Sequence, residues 1–121
     1  MRKIVFLLVF LNLNVFVVPN TANAVSCRTI QNLEESLRLV LVAGTPYTNK
    51  IIDDNMKFYR YLLSQPECVS QSTYENTLST TRNIQSDCKK FRKGSWEYKQ
   101  MQVLWYNKWD YMCKQIVKIK V

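Results

Sequence analysis

Four cysteines are the side chains of this sequence best suited to chemistry: Cys27, Cys68, Cys88 and Cys113. A zinc site needs closely spaced cysteine pairs or histidines. Here the two nearest cysteines are 20 positions apart, and the chain contains no histidine. An even number of widely spaced cysteines in a short chain instead favours disulfides, and oxidised cysteines cannot act as thiolate nucleophiles. We therefore predict two disulfides, with no bound metal and no cofactor.

The remaining candidates for catalysis are two pairs of adjacent carboxylates, Glu34-Glu35 and Asp53-Asp54. Adjacent helical residues point about 100° apart, so the two members of a pair do not face one substrate atom together. The chain has no histidine to act as a base near neutral pH. Its two glycines leave no glycine-rich loop that could hold a phosphate. The sequence therefore predicts a protein that is not an enzyme.

Positive charge is concentrated in the last third of the chain. Residues 25–88 carry six basic and seven acidic side chains, whereas residues 89–121 carry nine basic and two acidic ones and all three tryptophans. Cations attract phosphate or sulfate, and exposed aromatic rings stack on bases or lie at a lipid interface. Trp96 and Tyr111 are the candidate surface aromatics. The candidate anion-binding residues are Lys89, Lys90, Arg92, Lys93, Lys99, Lys114 and Lys118.

The first 24 residues predict export. A basic start over residues 1–3 precedes an almost wholly apolar run over residues 4–18, and Ala22-Asn23-Ala24 has the small side chains of a cleavage site. The apolar run is shorter than the ~20 residues that a membrane-spanning helix needs. We predict a signal peptide cleaved after Ala24, a single helical domain over residues 25–121, and a secreted or periplasmic location, where disulfides persist.

Glycine, proline and capping residues divide that domain into four predicted helices, at about residues 26–43, 49–64, 72–93 and from 95 to near the C-terminus. Ser26 and Ser95 are suitable N-caps, and a capping box over Ser72–Glu75 begins the third helix. The third helix is rich in serine and threonine, which are poor helix formers, so we expect a break near Ser79–Thr81.

Apolar side chains recur at helical spacing along three of the four helices. The first stripe is Ile30, Leu33, Leu37 and Leu41, and the second is Ile52, Met56, Tyr59 and Leu63. The fourth helix carries the widest stripe, with Tyr98, Met101, Trp105, Trp109, Met112, Ile116 and Ile119. These faces predict an all-α fold: a small disulfide-stapled up-down bundle of about four helices.

Four cysteines allow three pairings, among which the sequence alone does not choose, and the layout of the bundle favours one of them. Cys27 begins the first helix and Cys68 follows the second, so both lie at one end and can pair. Cys88 and Cys113 then pair by elimination. In an ideal bundle the latter two would be mismatched by ~20 Å along the helix axes. A broken third helix or a steep crossing would remove that mismatch.

The sequence therefore predicts an exported helical protein that works by binding. Its expected partner is an acidic protein, a polyanion or an anionic membrane surface, met through the end of the third helix and through the fourth. The alternative is a carrier of a small apolar ligand held in the helical core. A cavity lined by Met56, Tyr59, Met101 and Trp105 would favour the carrier.

Overall fold

The computed structural model describes residues 24–121, so the predicted signal peptide, apart from Ala24, lies outside the described residues. This part of the chain forms five α-helices and one short 3-10 helix, without a β-strand. The elements are α1 (Cys27–Ala43), α2 (Asn49–Ser64), the 3-10 helix (Pro66–Cys68), α3 (Gln71–Lys90), α4 (Trp96–Leu104) and α5 (Trp109–Ile116). The predicted all-α, disulfide-stapled bundle is confirmed.

The ends of α1 and α2 are set by local capping. Ser26 Oγ accepts a hydrogen bond of 3.1 Å from the backbone N–H of Thr29, and Thr48 caps α2 in the same way. Gly44 follows α1 in the left-handed region, at φ 68°, where a side chain is disfavoured. The predicted extents of these two helices are confirmed.

The predicted capping box at the start of α3 is wrong. Ser70 is the N-cap, and its Oγ accepts a bond of 3.2 Å from the Thr73 N–H. Ser70 is the residue that still has extended backbone after the 3-10 helix, and the chain is already helical at Ser72. Glu75 instead accepts a bond of 2.8 Å from the Gln71 side chain.

The predicted break in α3 is also wrong, because α3 continues without interruption from Gln71 to Lys90. The Thr77 hydroxyl donates to the carbonyl of Thr73 at 2.8 Å, and the Thr81 hydroxyl donates to the carbonyl of Thr77 at 2.7 Å. Their polar atoms are therefore satisfied within the helix, and both side chains can be buried. Thr77 and Thr81 therefore occupy core-facing positions of α3, a helix whose sequence shows no continuous apolar stripe.

The break lies instead in the predicted fourth helix, which forms α4 and α5. Tyr106 and Asn107, between them, have positive φ angles of 52° and 64°. The Asn107 N–H donates to the carbonyl of Gln102 at 2.7 Å, and the Gln102 side chain accepts a bond of 3.1 Å from the Trp109 N–H. This turn redirects the chain and lets α5 pack against α2 and α3.

Two disulfides join the helices, and the described residues contain no free cysteine. Cys27–Cys68 links the start of α1 to the 3-10 helix, with a Cα–Cα distance of 4.9 Å. Cys88–Cys113 links α3 to α5, with a distance of 5.7 Å. This is the pairing that the helix layout favoured. The turn between α4 and α5 removes the axial mismatch that a single long helix would have imposed.

The core consists of two buried clusters on opposite halves of α2. One contains Ile30, Phe58, Leu62 and Cys68, and the other contains Ile52, Met56, Trp109, Met112, Ile116 and Ile119. Several stripe residues are only partly buried, among them Leu33, Leu37, Tyr98, Met101 and Trp105, and Leu41 is 68% exposed. On α2, the stripe residues Tyr59 and Leu63 are half-buried. Phe58 and Leu62 are buried in their place, because α2 packs against α1, α3 and α5 on more than one of its sides.

Candidate functional site: a basic surface and an internal cavity

The basic side chains of the C-terminal third are free of carboxylate partners within the described residues. All seven predicted anion-binding residues are exposed. The two ion pairs that occur within residues 24–121 are Glu35–Arg38 and Lys50–Asp54, and both lie in the first two helices. The charge of residues 89–121 is therefore presented to solvent.

Two of the predicted cations border a concavity where α3 meets α4. Lys90 and Arg92 line this space of about 430 Å³, together with Phe91, Ser95 and Glu97. Glu97 places one negative charge at the same concavity. An anion there would meet two cations and one carboxylate, so this end of the basic region is a mixed surface.

A more strongly basic arrangement surrounds Ile119. On one side, Lys89 and Lys120 line a concavity of about 330 Å³ with Gln85. On the other side, Arg60, Lys118 and Lys120 line a second concavity of about 400 Å³. Neither concavity is lined by an Asp or Glu side chain, and Val121, the last residue of the sequence, also lines the first. We call Arg60, Lys89, Lys118 and Lys120 the basic rim.

Two interactions hold the basic rim in place. The Gln85 side chain donates hydrogen bonds of 2.8 Å to the carbonyls of Ile116 and Ile119. Ile119 is itself only 4% exposed and belongs to the core cluster. Lys118 and Lys120, on either side of this anchored residue, are consequently kept beside α2 and α3.

Sequence reasoning missed two members of the basic rim. Lys120 lies within the basic residues 89–121, and its positive charge was the sequence signal that could have identified it as an anion-binding residue. Arg60 lies in α2, far from that segment in sequence, and only the fold brings it there. Lys93, Lys99 and Lys114 are exposed but line none of the three concavities.

The two candidate surface aromatics differ in their surroundings. Trp96 is 71% exposed, at the start of α4. Tyr111 is half-buried, and its hydroxyl donates a hydrogen bond of 2.7 Å to Asp53 on α2. This bond raises the pKa of Tyr111, because it stabilises the protonated phenol. Tyr111 therefore joins α5 to α2, whereas Trp96 is open to a partner.

A separate cavity of about 200 Å³ lies where α1, α2, α3 and the turn after α4 converge. Of the four lining residues that a carrier was expected to have, Tyr59 and Trp105 do line it. Met56 does not, since it is 2% exposed within the packed core, and Met101 packs against that core instead. Most other lining residues are aliphatic or aromatic, among them Leu37, Val40, Tyr47 and Ile84.

The aromatic wall of this cavity is ordered by stacking. The rings of Tyr47 and Trp105 have centroids 4.5 Å apart and are inclined by 22°. Burial raises the pKa of the Tyr59 phenol above its ordinary value, and the neighbouring Tyr47 raises it further. Burial also raises the pKa of Tyr47. Both phenols are therefore protonated and uncharged at neutral pH.

An outer cleft of about 340 Å³ adjoins the cavity. The two spaces share Leu37, Leu41, Asn55, Tyr59 and Thr80. The cleft continues between α1 and α3 toward Glu34 and Arg38 on one wall and Thr73 and Asn76 on the other. The cavity is thus apolar inside and polar toward its mouth.

Residues 24–121 contain no cluster of three or more histidine, cysteine, aspartate or glutamate side chains that could hold a metal ion. None of the helices over these residues is both long enough and apolar enough to span a bilayer.

The chain matches no protein-family model, no curated protein and no solved structure.

Proposed function

We propose that this is an exported binding protein that engages an acidic macromolecule or surface through its C-terminal third. The observation that carries the proposal is the basic rim: four cations line two concavities that no Asp or Glu side chain lines. Cations that neutralise phosphates or sulfates release condensed counterions, which makes such binding favourable at low salt and weaker as salt rises.

The surroundings of the basic rim support a binding role over a purely structural one. Lys89 lies in the last turn of α3, where a cation also complements the helix dipole. Lys118 and Lys120 follow the end of α5, and Arg60 lies in the penultimate turn of α2. Four cations from three segments of the chain exceed what the end of any one helix requires.

Heparin is a suitable probe, because it is densely anionic. We expect it to bind the wild-type protein at physiological salt, with an affinity that falls steeply as salt increases. Changing Lys89, Lys118 and Lys120 together to Gln should weaken binding and lower the slope of log K against log salt by about one per lost contact.

A matched variant separates this site from total charge. Changing Arg28, Lys57 and Arg82 to Gln removes the same three charges from exposed positions outside the basic rim. We expect this variant to keep most of the affinity and slope. Equal losses in the two variants would contradict a localised site, and elution of the wild-type protein from heparin at physiological salt would contradict the proposal itself.

Export is part of the same proposal. The two disulfides are compatible with an oxidising compartment. Mass spectrometry of the exported protein should give a chain that begins at Val25, with four hydrogens fewer than the reduced form because of the two disulfides. A mass that includes residues 1–24, or the recovery of free thiols, would contradict it.

A further inference from the structure

We propose that the cavity beside Trp105 is a binding site for a small, uncharged, single-ring aromatic compound that carries one hydroxyl group. The cavity shares no lining residue with the basic rim, so this site is independent of the proposed anion binding.

The volume sets the size of the ligand. The cavity measures about 200 Å³. A cavity of about 150 Å³ in another protein holds benzene, whereas drug-sized ligands need roughly 300–1,000 Å³. One aromatic ring with a short substituent therefore fills the inner space, and a longer substituent would extend into the outer cleft.

The lining sets the chemistry of the ligand. No charged residue lines the inner cavity, so a charged ligand would lose its hydration without gaining an ionic partner. The stacked rings of Tyr47 and Trp105 form a flat wall that suits another aromatic ring. Leu37, Val40 and Ile84 supply aliphatic contacts.

Two groups at the cavity can bind a hydroxyl. The Tyr59 hydroxyl makes no hydrogen bond with any residue of the described part of the chain, and burial keeps it protonated. Asn55 donates its amide nitrogen to the carbonyl of Ile51 at 2.9 Å, which leaves Oδ1 available as an acceptor. Few convergent polar groups in an otherwise apolar pocket are typical of a small-molecule site.

The probes for this site are 4-ethylphenol, ethylbenzene and 4-ethylphenyl phosphate, titrated into the full disulfide-bonded protein by calorimetry. We expect 4-ethylphenol to bind with a Kd of about 1 mM or tighter. Ethylbenzene, which lacks the hydroxyl, should bind about five-fold more weakly. The phosphate ester should not compete with 4-ethylphenol, even where it binds the basic rim. Absence of 4-ethylphenol binding at several times that concentration would overturn the proposal.

Two substitutions locate the binding. Val40→Phe fills the cavity and should abolish 4-ethylphenol binding, whereas Val42→Phe, on the exposed face of the same helix, should leave it unchanged. Tyr59→Phe should lower the affinity for 4-ethylphenol about five-fold and leave that for ethylbenzene unaltered. The Tyr59 comparison keeps the test decisive if the Val40 variant fails to fold. Undiminished binding in a folded Val40→Phe variant, or no effect of Tyr59→Phe, would overturn the site.

Discussion

Replacing Gln85 with Met tests whether the end of the chain is held by the fold. The Gln85 amide nitrogen lies 2.8 Å from the carbonyl oxygens of both Ile116 and Ile119. Methionine has a similar length and suits a helix, but it cannot donate to either carbonyl. The substitution therefore removes two hydrogen bonds between α3 and the end of α5 with little change in volume.

The expected loss of stability follows from those two bonds. Each contributes about 1 kcal/mol net, so the free energy of unfolding should fall by about 2 kcal/mol. Gln85 is half-buried and both Ile116 and Ile119 are buried, so leaving their carbonyls without a donor should add to this loss. For a domain of this size, the corresponding decrease in Tm is about 8–16 °C.

Gln71→Met is the matched control. Gln71 lies on the same helix, and its side chain also donates a hydrogen bond, to Glu75 at 2.8 Å, but both residues are exposed. The control should change the free energy of unfolding by less than about 0.5 kcal/mol. Both variants would be measured by urea denaturation followed by circular dichroism, with the disulfides intact. Equal and small effects of the two substitutions would refute the idea that Gln85 anchors the C-terminal segment.

Three further predictions concern the disulfide, the pH dependence and the turn. Changing Cys88 and Cys113 together to Ala should lower the free energy of unfolding by up to about 3.5 kcal/mol, because the disulfide closes a loop with a sequence separation of 25 residues. A loss under 1 kcal/mol in urea denaturation would argue against this contribution of the disulfide. Because the pKa of Tyr59 is higher in the folded than in the unfolded protein, its contribution to stability is present below pH 10 and decreases as the pH rises through the folded pKa. Tyr59→Phe should therefore reduce the loss of stability above pH 10 in alkaline denaturation, and an unchanged pH profile would be inconsistent with burial of the phenol. Asn107 has a φ of 64°, which a β-branched side chain disfavours and glycine adopts freely. Asn107→Val should therefore destabilise the protein by about 1–2 kcal/mol, whereas Asn107→Gly should be tolerated. Thermal denaturation of both variants measures the difference.

The difference between the sequence analysis and the structure is clearest in the last 27 residues. Residues 95–119 have one helical apolar stripe, and that stripe does enter the core at Trp109 and Ile116. Periodicity nevertheless missed the turn at Tyr106 and Asn107, because neither residue is a helix breaker as strong as glycine or proline. The turn is stabilised by the Gln102 side chain and by the packing of α5, and neither contact is visible in a local pattern.

The candidate sites show the same division. Segregation of positive charge into the last third was visible in the sequence, and so were most of the cations that line the concavities. The participation of Arg60 was not visible in the sequence, because it depends on α2 lying beside Lys118 and Lys120. The cavity was predicted with Tyr59 and Trp105 but also with two methionines, which the packing of α2 and α4 places elsewhere.

The sequence alone therefore determined those features that depend on neighbouring residues or on composition. Caps such as Ser26 and Ser95 and the glycine after α1 act within one helical turn, and four widely spaced cysteines without histidine indicate disulfides rather than a zinc site. Tertiary structure decided where the chain turns, that the threonines of α3 are buried, and which distant side chains surround the cavity and the basic rim. Those outcomes depend on contacts between segments far apart in sequence, whose free energies no local propensity contains.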